Sequence, residues 1–265
     1  MRPAIVILSF LPFLYYAIKD ARFHFVGRRV SVAEHILHLA IGISLAIVLS
    51  HAVMGNTGLM LIGLLLLVIA GGIDEYLWHR GIPEAETDLH AKEHLALLIF
   101  VVATSALNWL EDHQWRLPPE LFGKGAAVEA VASVDARPTV SVPTREQPWW
   151  RSALLPVFLA PYAWFGLSDN LHHFRHRRVS WPERILHLAI VLAVVIVVTH
   201  ALAANRSVVI AALIVFLIPR SFDEWVFHRN LPGNEADRHA KTHFAFLIFV
   251  VLTMTLDWVT DHLVA

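Results

Sequence analysis

An internal duplication restricts the fold of this 265-residue chain more than any other feature of its sequence. A shift of 149 residues brings Glu34 onto Glu183 and Trp109 onto Trp258, and no gap is needed across either copy. Self-similarity at a fixed spacing predicts two copies of one structural unit. The chain divides into a first repeat, a polar and proline-rich linker, and a second repeat, at residues 1–113, 114–148 and 149–265.

The composition indicates that both units lie in a membrane. Hydrophobic residues make up 57% of the chain and charged residues 16%, with a mean hydropathy of +0.57, which is not typical of a soluble globular protein. The four apolar stretches of the first unit span residues 4–18, 36–54, 59–73 and 95–110. A membrane span needs roughly 20 residues, so we expect polar residues to continue the shorter helices. The sequence predicts an all-α polytopic integral membrane protein with eight transmembrane helices.

An even number of spans in each unit predicts that the two units have the same orientation. They would be parallel repeats, related by a pseudo-twofold axis along the membrane normal. The loops that join the first helix to the second and the third to the fourth lie on one side, which we call the loop face. Because 14 of the 21 Lys and Arg residues fall there, we expect the loop face to be cytoplasmic and both termini to lie outside. In a bacterium this would be the inner membrane.

The residue counts exclude several kinds of function. With no cysteine, disulfides, thiolate metal sites and cysteine nucleophiles are excluded. A net charge of -1 argues against a nucleic-acid partner, which would need a basic surface. The unusual feature is the presence of 17 histidines, of which 14 superimpose on one another under the 149-residue shift.

Many of these histidines belong to pairs spaced four residues apart, which lie on one face of a helix. Each helix of the first unit carries one such pair at its loop-face end: Asp20–His24, Glu34–His38, Glu75–His79 and His90–His94. Packing the four helices would bring these side chains to one level, as in helix bundles that hold di-iron or di-manganese centres. If the fourth helix begins early, its pair extends to Glu86.

The predicted metal ligands are the corresponding side chains of both units. In the first unit they are His24, Glu34, His38, Glu75, His79, Glu86, His90 and His94. In the second unit they are His173, Glu183, His187, Glu224, His228, Glu235, His239 and His243.

Helix capping is an alternative explanation for some of these carboxylates. Ser31-x-x-Glu34 forms a capping-box pattern, so Glu34 could serve its helix end alone. Asp88 is favoured as the N-cap of the fourth helix, which would leave Glu86 outside that helix. The same alternatives apply to the second-unit residues Ser180, Glu183, Asp237 and Glu235.

Other repeated polar residues lie beside the predicted ligands or at the opposite membrane face. Asp20 and Asp74 could orient a ligating imidazole or pair with nearby arginines, as could their counterparts Asp169 and Asp223. The outer-face residues are His51, Asp112 and His113, with His200, Asp261 and His262 in the second unit. For this outer group we favour solvation at the membrane interface over a metal or proton site.

Histidine and carboxylate ligands without thiolates suit iron, zinc or manganese. With iron, we expect oxidation or desaturation of a membrane lipid or a quinone-like molecule; with zinc or manganese, we expect metal-assisted hydrolysis. A divalent-metal or proton-coupled transporter is the alternative, although the middle of each helix is apolar, as in LMLIGLLLLVIAGG. Haem ligation is a third hypothesis, which the accompanying carboxylates disfavour. Glu93, opposite Thr242, and His35, opposite Arg184, are differences that could specialise one unit.

Overall fold

The fold is helical throughout the part of the chain that the structure, a computed structural model, describes. The described residues are 1–27, 30–79, 82–113, 148–176, 179–228, 231 and 233–263. The first unit contains α1 (Arg2–Arg22), α2 (Val32–Met54), α3 (Thr57–Ile73) and α4 (Glu84–Asp112). The second unit contains α5 (Trp149–His176), α6 (Trp181–Leu202), α7 (Arg206–Phe222) and α8 (Gly233–Leu263). Most of the predicted linker, residues 114–147, lies outside the described residues.

Six of these helices are long and apolar enough to cross a membrane. They are α1, α2, α4, α6, α8, and α3 taken together with the segment that follows it to Trp78. The coarse prediction of a membrane-type helical protein is therefore confirmed. Of the other two helices, α5 contains Pro156 and Pro161, and α7 has only 17 residues and carries Arg206 and Arg220.

The outer surface of the bundle is apolar. Large side chains such as Leu39, Ile43, Leu66 and Ile69 are exposed in the isolated chain, and their exposed fractions reach 64% at Leu39. A contiguous apolar surface of this kind is unstable in water but suits contact with lipid. These helices therefore have the exterior expected of membrane spans.

The last helices of the two units form the centre of the bundle. Helix α4 packs against α8, while α1 packs on α4 and α5 packs on α8. Leu95, Phe100 and Val101 on α4, and Val251 on α8, are fully buried in this core. Because α3 also contacts α8 and α7 contacts α4, each unit is completed by the last helix of the other.

Side-chain caps fix the ends of several helices. The Ser31 hydroxyl accepts a hydrogen bond from the backbone N–H of Glu34 at 3.2 Å, which begins α2. Asn56 caps α3 in the same way. Between these helices Gly55 has a φ of 75°, the left-handed conformation in which glycine is favoured. This tight connection places α2 and α3 side by side.

Helices α3 and α7 both end in a π-helical segment, Asp74–Trp78 and Asp223–Phe227. The wider turn lets two successive acidic residues face the interior: Asp74 and Glu75 are both buried, although an α-helix would separate them by about 100°. The backbone N–H of His79 bonds to the carbonyl of Asp74, five residues earlier, at 3.0 Å. The π-helical segment thus places the side chains of Asp74, Glu75 and His79 on one side of the chain.

The prediction that Asp88 is an N-cap is wrong. Helix α4 begins at Glu84 with Pro83 at its N-cap, because proline and acidic residues both suit the start of a helix. Asp88 lies inside the helix and pairs with Lys92. Helix α8 likewise begins at Gly233, so Asp237 is also inside it and pairs with Lys241. Glu86 is consequently helical and buried.

Candidate metal centre

Four predicted ligands of the first unit converge at its loop-face end. His24, Glu34, His38 and His79 each offer one ligand atom, and these atoms all lie within 4.8 Å of one another. The Nε2 atoms of His24 and His79 are 3.0 Å apart. Donor atoms that bind one ion at about 2.0–2.2 Å are themselves roughly 3 to 3.5 Å apart. We call these four residues the first ligand group.

A second ligand group lies beside the first and shares no residue with it. It consists of Glu75, His90 and His94. Glu75 Oε2 lies 3.1 Å from His90 Nδ1 and 4.0 Å from His94 Nε2. A further overlapping set, in which Glu86 joins His24, His79 and His90, connects the two groups. The side chains can therefore accommodate two ions with separate ligands.

Hydrogen bonds between the units fix the orientation of two histidines among the predicted ligands. His94 Nδ1 is 3.1 Å from the Ala240 carbonyl oxygen, and His243 Nδ1 is 2.8 Å from that of Ala91. A carbonyl only accepts, so each Nδ1 donates its proton and each Nε2 keeps a lone pair. That lone pair faces the side of the ring where a metal would bind.

Asp20 and Asp74 lie directly within the cluster. Asp20 contacts His24 Nδ1 at 3.1 Å and His90 Nε2 at 3.0 Å. Asp74 Oδ2 contacts His38 Nε2 at 3.2 Å. These contacts support the prediction that they orient imidazoles. The arginines considered as alternative partners, Arg28, Arg29, Arg80 and Arg229, lie outside the described residues.

Capping and cluster formation do not exclude each other. Glu183 Oε2 accepts the backbone N–H of Ser180 at 3.3 Å, while its Oε1 lies 3.5 Å from His228 Nε2. In the first unit the carboxylate of Glu34 reaches to 4.0 Å from His24 Nε2. One carboxylate can therefore serve a helix end with one oxygen and a metal with the other.

The second unit repeats the first ligand group. His173, Glu183, His187 and His228 have ligand atoms within 4.8 Å of one another, and all four are buried. The remaining predicted ligands are nearby: His239 Nε2 lies 2.9 Å from Glu224 Oε2, and Glu235 Oε1 lies 2.9 Å from His173 Nδ1. The side chains of His243 and Asp169 complete the set, at 3.8 Å from Glu224 and 3.0 Å from His239.

A buried arginine distinguishes the second cluster. Arg220 is 6% exposed, and its Nη1 donates to Asp223 Oδ2 at 2.8 Å. Its charge is close enough to act on His228, His239 and His243. Since Arg220 corresponds to Gly71 under the repeat, the second cluster contains a fixed cation where the first has no side chain. Comparing the two copies of the sequence could have identified this buried arginine.

The electrostatics of the two clusters differ accordingly. Burial lowers the pKa of the His24 imidazole, but the hydrogen bond and charge of Asp20 outweigh burial, and the pKa is raised from its ordinary value of 6.5. For His228, burial and then the positive charge of His239 both lower the pKa. Each cluster thus holds positive charge on a histidine, which a metal ion can replace, and the second cluster has in addition the permanent charge of Arg220.

Several buried acceptors in the clusters make no hydrogen bond within the described part of the chain. Examples are Asp74 Oδ1 and His243 Nε2. Buried polar atoms are nearly always satisfied, and unsatisfied ones need an explanation such as a bound ion. Carboxylate oxygens and imidazole nitrogens that converge in this way offer the lone pairs that a divalent cation needs as ligands.

The outer-face histidines make local contacts at the ends of α4 and α8. His113 Nδ1 bonds to the carbonyl of Trp109 at 2.8 Å and stacks on its ring, and His262 does the same with Trp258 at 2.9 Å. Asp112 and Asp261 are exposed, while His51 and His200 are partly buried. These contacts agree with interfacial solvation.

A cavity of about 440 Å³ adjoins the first cluster. Its polar end is formed by the cluster histidines and by Asp20, Glu75 and Glu93, and its remaining walls are apolar, among them Leu45 and Phe244. Gly42 and Gly71 also line it. The sequence does not reveal a cavity of this size, because its volume depends on how the helices pack.

Comparisons with protein families, with curated proteins and with solved structures gave no match. The interpretation of the site therefore rests on its own geometry and chemistry.

Proposed function

We propose that this chain is an integral membrane metalloprotein, built as two parallel four-helix units with eight transmembrane helices. The repeated order of helices and the reciprocal contacts of His94 and His243 support the duplication. With the π-helical segment to Phe227 included, α7 is as long as the membrane span formed by α3 and its own segment to Trp78. Arg220 then lies buried near the loop face, where an arginine is less costly than at the bilayer centre.

The protein binds transition-metal ions at the loop-face end of the units. The observation that carries this proposal is the pair of disjoint ligand groups in the first unit, His24–Glu34–His38–His79 and Glu75–His90–His94. Burying so many imidazoles and carboxylates without a cation would be costly. Two separate groups support a dinuclear site.

The reaction that such a site supports best is non-haem metalloenzyme chemistry on a hydrophobic substrate. All ligands are nitrogen or oxygen, a set suited to iron, zinc or manganese. Iron would make the protein a di-iron-type oxidoreductase; zinc or manganese would make it a metal-dependent hydrolase. The apolar cavity beside the cluster supports a lipid or quinone-like substrate.

Metal analysis tests this proposal. Detergent-purified protein, expressed with iron, zinc or manganese in turn, is analysed by mass spectrometry together with an optical spectrum. We expect two or more equivalents per chain, and fewer in His79→Ala/His90→Ala. A matched control is His113→Ala/His262→Ala, which removes two exposed outer-face histidines and should leave the metal content unchanged.

Absence of stoichiometric metal under every supply would overturn the proposal. A Soret band would replace it with a haem protein. An equal loss of metal in the control pair would mean that binding is not confined to the clusters.

Transport is the weaker alternative because the core between the two faces is apolar. Leu64, Leu98 and Val101 are buried at this level, and the hydroxyl of Thr104 bonds back to the carbonyl of Phe100. An ion would therefore meet few polar groups on a path through the core. Metal uptake by proteoliposomes that fails in His90→Ala would favour transport instead.

We also propose that the loop face is cytoplasmic. The Lys and Arg excess on that side supports this orientation. Cysteine substitutions at Val26 and at Glu111, in a chain without native cysteine, would be labelled from opposite sides of intact cells. Labelling of the Val26 position by an impermeant reagent from outside would reverse the topology.

A further inference from the structure

The two clusters have cavities of very different size. The cavity of the first unit measures about 440 Å³, and the one in the second unit about 40 Å³. Ten residues line the smaller cavity: Tyr162, Gly166, Asp169, Asn170, His173, His187, Ile190, Val191, Arg220 and Thr242. Under the 149-residue shift, all of them correspond to residues that line the larger one. The small cavity is therefore the same site in a contracted form.

Two substitutions of glycine by larger residues contribute to the contraction. Gly42 in the first unit corresponds to Val191 in the second, and Gly71 corresponds to Arg220. A Cβ atom at Gly42 would meet no atom within 4 Å, so this glycine borders open space. In contrast, the Arg220 side chain is buried against the second cluster and held there by Asp223.

The large cavity extends from the cluster towards the lipid-facing surface of α2. Leu39 and Gly42 both line it, and both lie on the exposed side of that helix. On the inner side, Leu67 of α3 and Leu97 of α4 continue the apolar wall. A molecule in this cavity would have its apolar part between the helices and its polar end at the metal ligands.

We propose that only the first unit binds a substrate, and that this substrate is an elongated hydrophobic molecule with one metal-binding polar end, which enters from the lipid beside Gly42. Val191 and Arg220 close the equivalent site in the second unit. This inference rests on the proposed metal site, because the polar end is held by the metal ions of the first unit.

The difference between the units follows from charge as well as from space. Arg220 places a permanent positive charge close to His239 and His243, two of the three counterparts of the second ligand group. That charge disfavours a second dication in this unit. Glu93, which lines the large cavity, corresponds to Thr242, so the second unit also lacks a carboxyl group at this position.

Alkyl hydroxamic acids are suitable probes because their head binds iron, zinc or manganese and their chain length can be varied. Binding of acetohydroxamic acid and of dodecanohydroxamic acid is measured by titration calorimetry on the metal-loaded, full-length protein at fixed detergent concentration. The variants are Gly42→Leu, which narrows the large cavity, and Val191→Leu, the same change at the equivalent position of the second unit.

In the wild type we expect the long-chain probe to bind once per chain and more tightly than the short one. In Gly42→Leu we expect its affinity to fall by about tenfold, the loss of roughly two buried CH₂ contacts, while acetohydroxamic acid binds as before. Val191→Leu should change neither affinity. Metal content, measured on the same samples, should be equal in all three proteins and shows whether each variant has folded.

Each alternative result has a distinct meaning. Protein without metal would overturn the proposed function itself. Metal-loaded protein that binds both probes equally well, or binds two long-chain molecules per chain, would overturn the inference and leave the metal site standing. Equal effects of Gly42→Leu and Val191→Leu on the affinity for the long-chain probe would also overturn the inference. They would show that the alkyl chain of the probe does not bind in the large cavity.

Discussion

The Nε2 atoms of His24 and His79 face each other at 3.0 Å, and those of their counterparts, His173 and His228, face each other at 3.2 Å. Two imidazole nitrogens at this distance need either a shared proton or a cation between them, since two lone pairs repel. Carboxylates surround both pairs: Glu34 and Glu183 approach them at 4.0 and 3.5 Å. The same arrangement in both units supports the proposal that each unit binds metal.

The first prediction concerns these facing pairs. His24→Ala removes a residue that belongs to both the first ligand group and the connecting set with Glu86, so we expect a loss of at least one metal equivalent per chain. His173→Ala should produce a similar loss from the second unit. His51→Ala, at the far end of α2, is the control and should retain all metal. The equivalents are counted by mass spectrometry, and full retention in His24→Ala would contradict the assignment.

His90→Ala and His239→Ala should have unequal effects. His90 belongs to the second ligand group and lines the large cavity, so its loss should remove metal and also abolish binding of dodecanohydroxamic acid. His239→Ala should leave the binding of that probe intact. Equal losses of probe binding in the two variants would contradict the specialisation of the first unit.

Replacing Arg220 should open the second site. In Arg220→Gly the residue matches its counterpart Gly71, and removal of the positive charge should favour an additional metal ion. We expect the metal content to rise by about one equivalent, because a metal ion can then take the place of the guanidinium charge among the buried carboxylates. Arg206→Gly, at the other end of α7, is the control. An unchanged metal content in folded Arg220→Gly would show that the charge is not what limits binding.

Glu93→Gln tests the role of the carboxylate that is present only in the first unit. Glu93 lines the same cavity as the second ligand group, where it can form a hydrogen bond with the head of a metal-bound hydroxamate. We expect the affinity for acetohydroxamic acid to fall by about tenfold, the effect of losing one hydrogen bond to a charged group. Metal content should stay constant. If the metal is lost as well, Glu93 is a metal ligand and not a hydrogen-bonding partner of the probe.

A further prediction concerns the stability of the bundle and not its metal site. Arg151 is buried and bonds the carbonyl of Ala201 at 2.7 Å and the carboxylate of Asp257. Its counterpart Arg2 makes a similar contact with Ala52 but pairs with the half-exposed Glu111. Breaking a buried pair costs about 3–5 kcal/mol, so Arg151→Ala should unfold at a lower temperature than Arg2→Ala in detergent. A lower unfolding temperature for Arg2→Ala than for Arg151→Ala would contradict the importance of burying this ion pair.

The convergence of these side chains could be predicted from the sequence because four-residue spacing and duplication are local properties of the chain. His24, His38, His79 and His90 do converge, as their positions at the loop-face ends of four helices required. For Asp20 and Asp74 the sequence left two alternatives, orienting an imidazole or pairing with an arginine, and both side chains do contact imidazoles. Identification of the ion and the substrate requires experiment, because the same ligands suit several metals.

What the sequence could not predict depends on turns and packing. The π-helical segment that lets Asp74 and Glu75 face the same interior has no distinct sequence pattern, and Asp88 resembled a helix start although α4 begins at Glu84. The closure of the second cavity was also missed. A comparison of Gly71 with Arg220 could have suggested it, but the direction of the arginine side chain follows only from the packed structure.

The hydrogen bonds of His94 to Ala240 and of His243 to Ala91 cross the boundary between the two units. Each half of the chain therefore orients a cluster histidine of the other, and neither half is an independent module. A single unit could form both bonds only by pairing with a second copy of itself, as a symmetric dimer would. Joining two such copies in one chain would preserve this mutual dependence while allowing each half to acquire its own side chains, as at Gly71 and Arg220.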